Sequence, residues 1–271
     1  MKLERSQALI GGAGTMGTAI VKGLLRAEAL PPERIHVTAR KERSLAHLRD
    51  LGVVLGTDNR AALEGAGVIL ICVHPDQVAG VLEPLDDLIT ADHLVLSVAT
   101  GIPTRRFEAL LSAPVPVIRA TPNLGAIVGA STTVLCPGKH ATQAHLDVAE
   151  NIFRTIGEVE QLEERHMNAC TALGGCGPAF VFKVIEAMAE GGVKMGLPRD
   201  VSKRMAAQVL LGAARLVLQT GIHPAALKDQ VTTPGGCTID GITKLEERGL
   251  PIALIEAVET SALKAAKLFE E

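Results

Sequence analysis

The chain predicts an α/β fold: an N-terminal Rossmann-like doubly wound sheet followed by an all-α C-terminal dimerisation domain. Three observations carry that reading. Short apolar runs alternate with amphipathic stretches up to Leu162, the rhythm of a parallel sheet covered by helices. The glycine-rich G-A-G-T-M-G stands between the first apolar run and an apolar helix pattern. Beyond Glu163 the strand signal stops and helical periodicity takes over.

Taken in order, the apolar runs place strands at residues 8–10, 35–38, 68–73, 94–98 and 115–119. Amphipathic stretches between and after them read as helices at 15–26, 44–51, 76–82, 104–111 and 142–156. Four further helices are expected at 179–190, 198–220, 238–247 and 251–269, which sets domains of 1–162 and 163–271. The helix at 198–220 carries A-A-Q-V-L-L-G-A-A-R-L-V-L, apolar on most of its circumference. A single chain of this size would struggle to bury that surface, so the pattern reads as a subunit interface, with a central core helix as the alternative.

Composition narrows the function. At 271 residues, 47% hydrophobic and 21% charged with a net charge of −3, the chain carries neither a disordered signature nor the basic footprint of a nucleic-acid binder. Aromatic residues are 2%, with no Trp or Tyr, which leaves no stacking platform for single strands. A small-molecule partner is expected, without nucleic acid or membrane. The five cysteines are an odd count without C-x-x-C spacing and no secretory segment is read before them, so a cytoplasmic location is expected. His140 and His145 lack further ligands at metal spacing, and no metal is expected.

Gly12, Gly14 and Gly17 read as a dinucleotide fingerprint, with Thr15 and Met16 inside it. The first glycine allows the tight turn, the second lets backbone amides approach a pyrophosphate, and the third permits close helix-to-strand packing. At the end of the second strand, where an acidic residue would bind a ribose 2′-hydroxyl, stand Thr38, Ala39, Arg40 and Lys41, with Arg43 and Ser44 behind them. Arg40 and Lys41 suit a 2′-phosphate, which favours NADPH and leaves NADH possible; a solvated basic turn is the plainer reading of the same residues. Val73, His74 and Pro75 follow the third apolar run, and Ala99 and Gly101 follow the fourth, at strand ends where open α/β sheets bind ligands. His74 reads as a packing or hydrogen-bonding residue rather than an acid.

On the C-terminal side, D-Q-V-T-T-P-G-G-C-T-I-D begins at Asp229 and leads into a helix. Pro234 fixes one backbone angle, Gly235 and Gly236 can take positive φ, and the turn presents N–H groups to an anion.

Together these residues resemble the pyrroline-5-carboxylate reductase family along the whole chain. The family's pattern is matched by G-A-G-T-M-G, V-H-P-D-Q and R-A-T-P-N-L-G from Arg119, then by G-C-G-P-A-F from Gly175. It continues with Glu186–Ala187, His223–Pro224, L-K-D, V-T-T-P-G-G-C-T and G-I-T-K-L-E. The resemblance implies NADPH-dependent reduction of the cyclic imine 1-pyrroline-5-carboxylate to L-proline, the last step of proline biosynthesis. It implies a homodimer or higher homo-oligomer formed by the helical domain, and an active site between domains. It adds Asn123 to the cofactor side. It gives the imine carboxylate to the turn of Gly235, Gly236 and Cys237 with Thr233 nearby, and the imine nitrogen to the Thr238 hydroxyl, the catalytic candidate.

Some residues depart from the family's pattern. Cys176 and Cys237 stand where Ser and Thr or Ala are common, Gly174 replaces another Ser, and L-G replaces T-P after Asn123. These changes keep a homologous imine, piperideine carboxylate, open as the substrate. A β-hydroxyacid dehydrogenase needs an Asn near its helical Lys, and Lys183 is followed by Val184, Ile185, Glu186 and Ala187. A non-enzymatic dinucleotide-binding sensor is the rival from another class.

Overall fold

The computed structural model describes residues 3–267. Its N-terminal half is one eight-stranded sheet in the order β3-β2-β1-β4-β5-β6-β7-β8. In chain order the sheet half runs β1 (Ser6–Ile10), α1 (Thr15–Arg26), β2 (Ile35–Thr38), β3 (Val54–Gly56), α2 (Asn59–Leu63), β4 (Ala66–Ile71), α3 (Val78–Leu82) and β5 (Leu94–Ser97). It continues through α4 (Thr104–Ala109), β6 (Val117–Ala120), β7 (Ser131–Pro137), α5 (Gln143–Phe153) and β8 (Gly157–Gln161). Every strand pair is parallel except β6 with β7, which is antiparallel.

Alternation along β1 splits the core into two faces. Leu9 joins Ile20 and Leu24 of α1 and Ile152 and Phe153 of α5, while Ala8 and Ile10 join Val78 and Leu82 of α3 and Phe107 of α4. With both faces covered, the central strand β4 is buried at all six positions, as its unbroken apolar run A-G-V-I-L-I requires. Each large aliphatic side chain fully buried there contributes about 1.5–3 kcal/mol.

Each expected strand and helix has a counterpart, with ends trimmed, extended or shifted by a few residues, and there are several additions. The helix expected at 44–51 is a 3-10 segment, Glu42–Leu51, closed by Gly52 at φ +74°. The helix expected at 76–82 divides into a 3-10 turn at Pro75–Gln77 and α3. Sequence reasoning missed β3, β7, β8 and α2. The first of these is only three residues long, and β8 (G-E-V-E-Q) turns a single residue, Val159, inward, so neither presents an apolar run.

After the sheet come α6 (Met167–Cys170), a π-helical segment Thr171–Cys176, α7 (Gly177–Lys194), α8 (Arg199–Thr220), α9 (Pro224–Gln230), α10 (Cys237–Glu247) and α11 (Leu250–Lys267). The expected end of the last helix at Phe269 lies outside the described residues, and α9 was not anticipated.

Two compact units divide at Cys176, with residues from Ser261 onward grouped with the first. The division differs from the boundary expected at 162/163 because Met167 is fully buried against Val134 and Cys136 of β7, and Glu164 pairs with Arg119 of β6. In the second unit α7 packs on α8, where the Ser202 hydroxyl donates to the Ala189 carbonyl at 2.6 Å. A Cβ at Gly192 would collide with that hydroxyl, so the close approach requires glycine. No residue of α7 is buried, and the continuous helical run Glu164–Lys194 is long and apolar enough to cross a membrane by composition alone.

Candidate active site

A cavity of 740 Å³ opens at the carboxyl ends of β1, β2 and β4, where the chain order reverses between β1 and β4. Open α/β sheets bind dinucleotides at such a switch point. Gly14, Val73 and His74 line it together with Thr38, Ala39, Arg40, Lys41, Arg43 and Ser44. Three cationic side chains and no carboxylate line it, which is the electrostatics of a phosphate-rich ligand.

The glycines divide the work differently from expectation. The tight turn belongs to Gly11, at φ +70°, a residue the motif reading passed over. Gly12 is fixed by crowding, since a Cβ there would lie 2.7 Å from Leu9 Cβ. A Cβ at Gly17 would stand 2.5 Å from Gly12 Cα, so close packing of the helix on the turn, where packing on a strand was expected, sets its identity. A Cβ at Gly14 would meet nothing within 4 Å. That position is the N-cap of α1, with no side-chain cap, so the first-turn N–H groups have no side-chain acceptor there. Open space at a helix N-terminus beside cations fits a pyrophosphate and a 2′-phosphate.

Gly14, Arg40, Lys41, Val73 and His74 are thus brought together. Thr15 lines an adjoining hollow of 320 Å³ with Thr18, Lys22, His47 and Ile127, and Met16 packs against the core. Pro75 starts the turn after His74, whose Nδ1 pairs with Asp76 at 2.6 Å. Ala99 is buried and bonded to Ser97 Oγ, and Gly101 takes φ +85° in the loop after β5; neither lines the large cavity.

The Asn123 side chain has structural partners: Oδ1 accepts from Gly125 N–H and Nδ2 donates to the Gly174 carbonyl, both at 2.9 Å. The sequence reading also missed Thr57, Asn59, Gln77 and Val81 in the cavity lining. Thr57 and Asn59 follow β3, and recognising that short strand was the signal that would have found them. Thr38 Oγ1 accepts from Gly11 N–H at 3.3 Å and donates to Asn59 Oδ1 at 2.7 Å, tying the three loops together. Burial pushes the Cys72 thiol at the cavity wall up to about 12, so it stays a neutral thiol.

On the second unit, Gly235 adopts φ +67° as expected, but Gly236 does not leave the ordinary region, at φ −78°. Its N–H donates to the Thr233 carbonyl at 3.0 Å, which closes the turn and withdraws it from the anion-holding role expected of it. Gly236 is instead the N-cap of α10, again without a side-chain cap, and Cys237 and Thr238 open that helix. The N–H groups of its first turn, beginning with Cys237, are the donors available to an anion. Among the described residues no group of three His, Cys, Asp or Glu is placed to hold a metal.

Arg119, at the end of β6, is 2% exposed, and its Nη1 donates to Glu164 Oε1 at 2.5 Å. The same carboxylate accepts from Thr104 N–H and Oγ1, both at 3.1 Å, joining α4, β6 and the segment that leads into the π-helix. Burial, reinforced by the Glu164 charge and hydrogen bond, pushes the neighbouring Cys136 thiol up to about 12.

Comparison with known proteins agrees with this geometry. Residues 164–268 match the family model for pyrroline-5-carboxylate reductase dimerisation, and residues 7–101 match the model described as NADP oxidoreductase coenzyme F420-dependent. A pyrroline-5-carboxylate reductase of Methanosarcina acetivorans is 40% identical over 258 residues, covering 95% of this chain and 96% of that protein. The structure of a pyrroline-5-carboxylate reductase from Coxiella burnetii superposes with a TM-score of 0.92 at 33% identity, over 98% of this chain and 99% of that one. The Plasmodium falciparum pyrroline carboxylate reductase with NADP bound shares the fold, with a TM-score of 0.88 at 24% identity over 98% of each chain. With a fingerprint turn, a cation-lined cavity and an uncapped Pro-Gly-Gly helix start on a chain so similar from end to end, the protein belongs to the pyrroline-5-carboxylate reductase family.

Proposed function

We propose that the protein reduces 1-pyrroline-5-carboxylate to L-proline with NADPH, the last step of proline biosynthesis. The observation that carries the cofactor half is the cavity wall of Arg40, Lys41 and Arg43 without a carboxylate, which suits a 2′-phosphate and would repel nothing on it. When bound, NADPH supplies the hydride that the imine carbon accepts while the ring nitrogen ends protonated as the amine.

The chain's own residues then have modest tasks. First-turn N–H groups of α10, from Cys237 onward, hold the substrate carboxylate, and Gly235 and the Gly236–Thr233 bond shape the turn that presents them. The Thr238 hydroxyl orients the imine nitrogen; being a poor acid, it positions more than it protonates. Gly14 leaves room for the pyrophosphate, Val73 and His74 border the dinucleotide at the end of β4, and Pro75 follows them at the start of the next turn.

The same reading makes the protein a homodimer or larger homo-oligomer through residues 163–271, with a partner subunit rather than a lipid phase covering the apolar run Glu164–Lys194. Lys183, Glu186 and Glu190 within that run favour the protein cover. Five free cysteines support a reducing, cytoplasmic setting.

The test is NADPH oxidation with pyrroline-5-carboxylate and piperideine carboxylate side by side, repeated with NADH and with Gly14→Asp as the cofactor-blocked control. Rapid turnover of the five-membered imine is expected, with NADPH preferred and the preference reduced in Arg40→Ala. Preference for the six-membered ring would reassign the substrate, and NADPH binding without turnover of either would leave the sensor reading.

A further inference from the structure

Two carboxamides line the dinucleotide cavity, and hydrogen bonding leaves them in different states. The Asn59 oxygen is already engaged: Thr38 Oγ1 accepts from Gly11 N–H at 3.3 Å and donates its own proton to Asn59 Oδ1 at 2.7 Å. Asn59 therefore offers the cavity mainly a donor, its Nδ2. Gln77 is only partly buried, its side chain has no hydrogen-bond partner among the described residues, and neither amide atom is sealed off by protein. Its oxygen and its nitrogen are both available to a ligand.

Gln77 closes the 3-10 turn after β4 and directly precedes α3, so Gln77, Gly80 and Val81 share one side of the first helical turn. All three line the cavity. At Gly80 a Cβ would meet nothing within 4 Å, which leaves open space between the carboxamide and the apolar Val81, with Val73 on the strand end nearby. Apolar side chains, an opening without a side chain and one free donor–acceptor pair suit a planar heteroaromatic ring. The base of the dinucleotide belongs in this part of the cavity. Arg40 and Lys41 suit the 2′-phosphate, and adenine is carried on the adjoining carbon of the same ribose, so it must lie close to them. Adenine presents an amino hydrogen beside a ring-nitrogen acceptor, the pair that a glutamine amide matches with its oxygen and its nitrogen.

We propose that Gln77 is a specificity-determining residue for the base of the cofactor, its amide reading the adenine amino group and the neighbouring ring nitrogen. This rests on the dinucleotide reading of the cavity and adds the base to it. Calorimetric titration of the full chain with NADP+ and with its etheno derivative, in which a two-carbon bridge to the ring removes the amino hydrogens, tests it. The parent should favour NADP+, and in Gln77→Leu that preference should shrink at least about fivefold. Gln77→Glu keeps the acceptor and loses the donor, so its preference should fall between the two, and it provides the readout if the leucine variant does not fold. Arg40→Ala should weaken both ligands alike, since each carries the 2′-phosphate, and leave the preference unchanged. No preference in the parent, or one that Gln77→Leu leaves intact, overturns the proposal and spares the NADPH reading; failure of NADP+ to bind the parent overturns both.

Discussion

Gly17 and Gly14 belong to the same six-residue motif, yet their surroundings demand different things of them. A methyl group at Gly17 would run into the Gly12 main chain, which cannot move aside without unmaking the turn; at Gly14 it would meet open space. Gly17→Ala should therefore destabilise the fold by about 1–3 kcal/mol, visible as a lower Tm, and weaken NADPH binding through the distorted turn. Gly14→Ala should leave the Tm near that of the parent and weaken NADPH binding alone, because the new methyl occupies the phosphate's approach. Equal loss of Tm in both variants would contradict this division.

The buried thiols make a second prediction at the same scale. Cys72 and Cys136 ordinarily titrate near 9.0 and are held up at about 12 in the fold, burial being the main cause. Between those values the unfolded chain has released protons that the folded chain keeps, so stability must fall as pH rises through that window. Thermal melts from pH 8 to 11 should show the Tm declining above about pH 9, and Cys72→Ala with Cys136→Ala should flatten the decline. A decline unchanged by the double substitution would assign it to other groups.

Among the elements, the π-helical segment Thr171–Cys176 is where irregular structure is concentrated, and Asn123 holds it. One end of that amide fixes the 3-10 turn Leu124–Val128 and the other bonds Gly174 within the segment. Asn123→Asp keeps the acceptor for Gly125 N–H and loses the donor to Gly174, whereas Asn123→Ala loses both. The losses should therefore be graded, roughly 1 kcal/mol for each hydrogen bond. Hydrogen exchange should rise at residues 171–176 in both variants and at residues 124–128 only in the alanine variant.

None of this was visible in sequence. Asn123 reads there as a cofactor residue through the family resemblance, which says nothing of its hydrogen-bond partners in this fold, and a π-helix leaves no periodic trace distinct from an α-helix. The amphipathic α1 and the all-buried β4 were legible because packing and pattern agree in them, and α8 was legible from its long helical composition alone. β8 and β3 were not, since edge strands bury too little to impose a pattern. At the candidate site, type and position pointed to Arg40, Lys41 and Gly14, which line one cavity. The Gly236 N–H was misassigned because a turn's internal hydrogen bond depends on φ and ψ, which the letters P-G-G leave open.

For the molecule as a whole, the second unit leaves large apolar side chains exposed in the single chain. On α8, Val209 is 56% exposed and Leu218 80%; on α11, Ile255 is 66% exposed. So many large apolar side chains left exposed on these helices call for a cover, and the region coincides with the match to a dimerisation family. Sedimentation should accordingly give a particle of at least twice the chain mass at micromolar concentration. Leu218→Glu or Val209→Glu would bury a charge in the subunit contact, and should dissociate the particle or leave the helical unit prone to aggregation. The sheet unit has its own two-faced core, so NADPH affinity should survive the dissociation. Imine reduction should fall with the dimer, because the helical unit that carries Thr238 depends on a partner for its cover. A fully active monomer would show instead that these helices are complete in one chain, and that their exposed apolar faces serve some other contact.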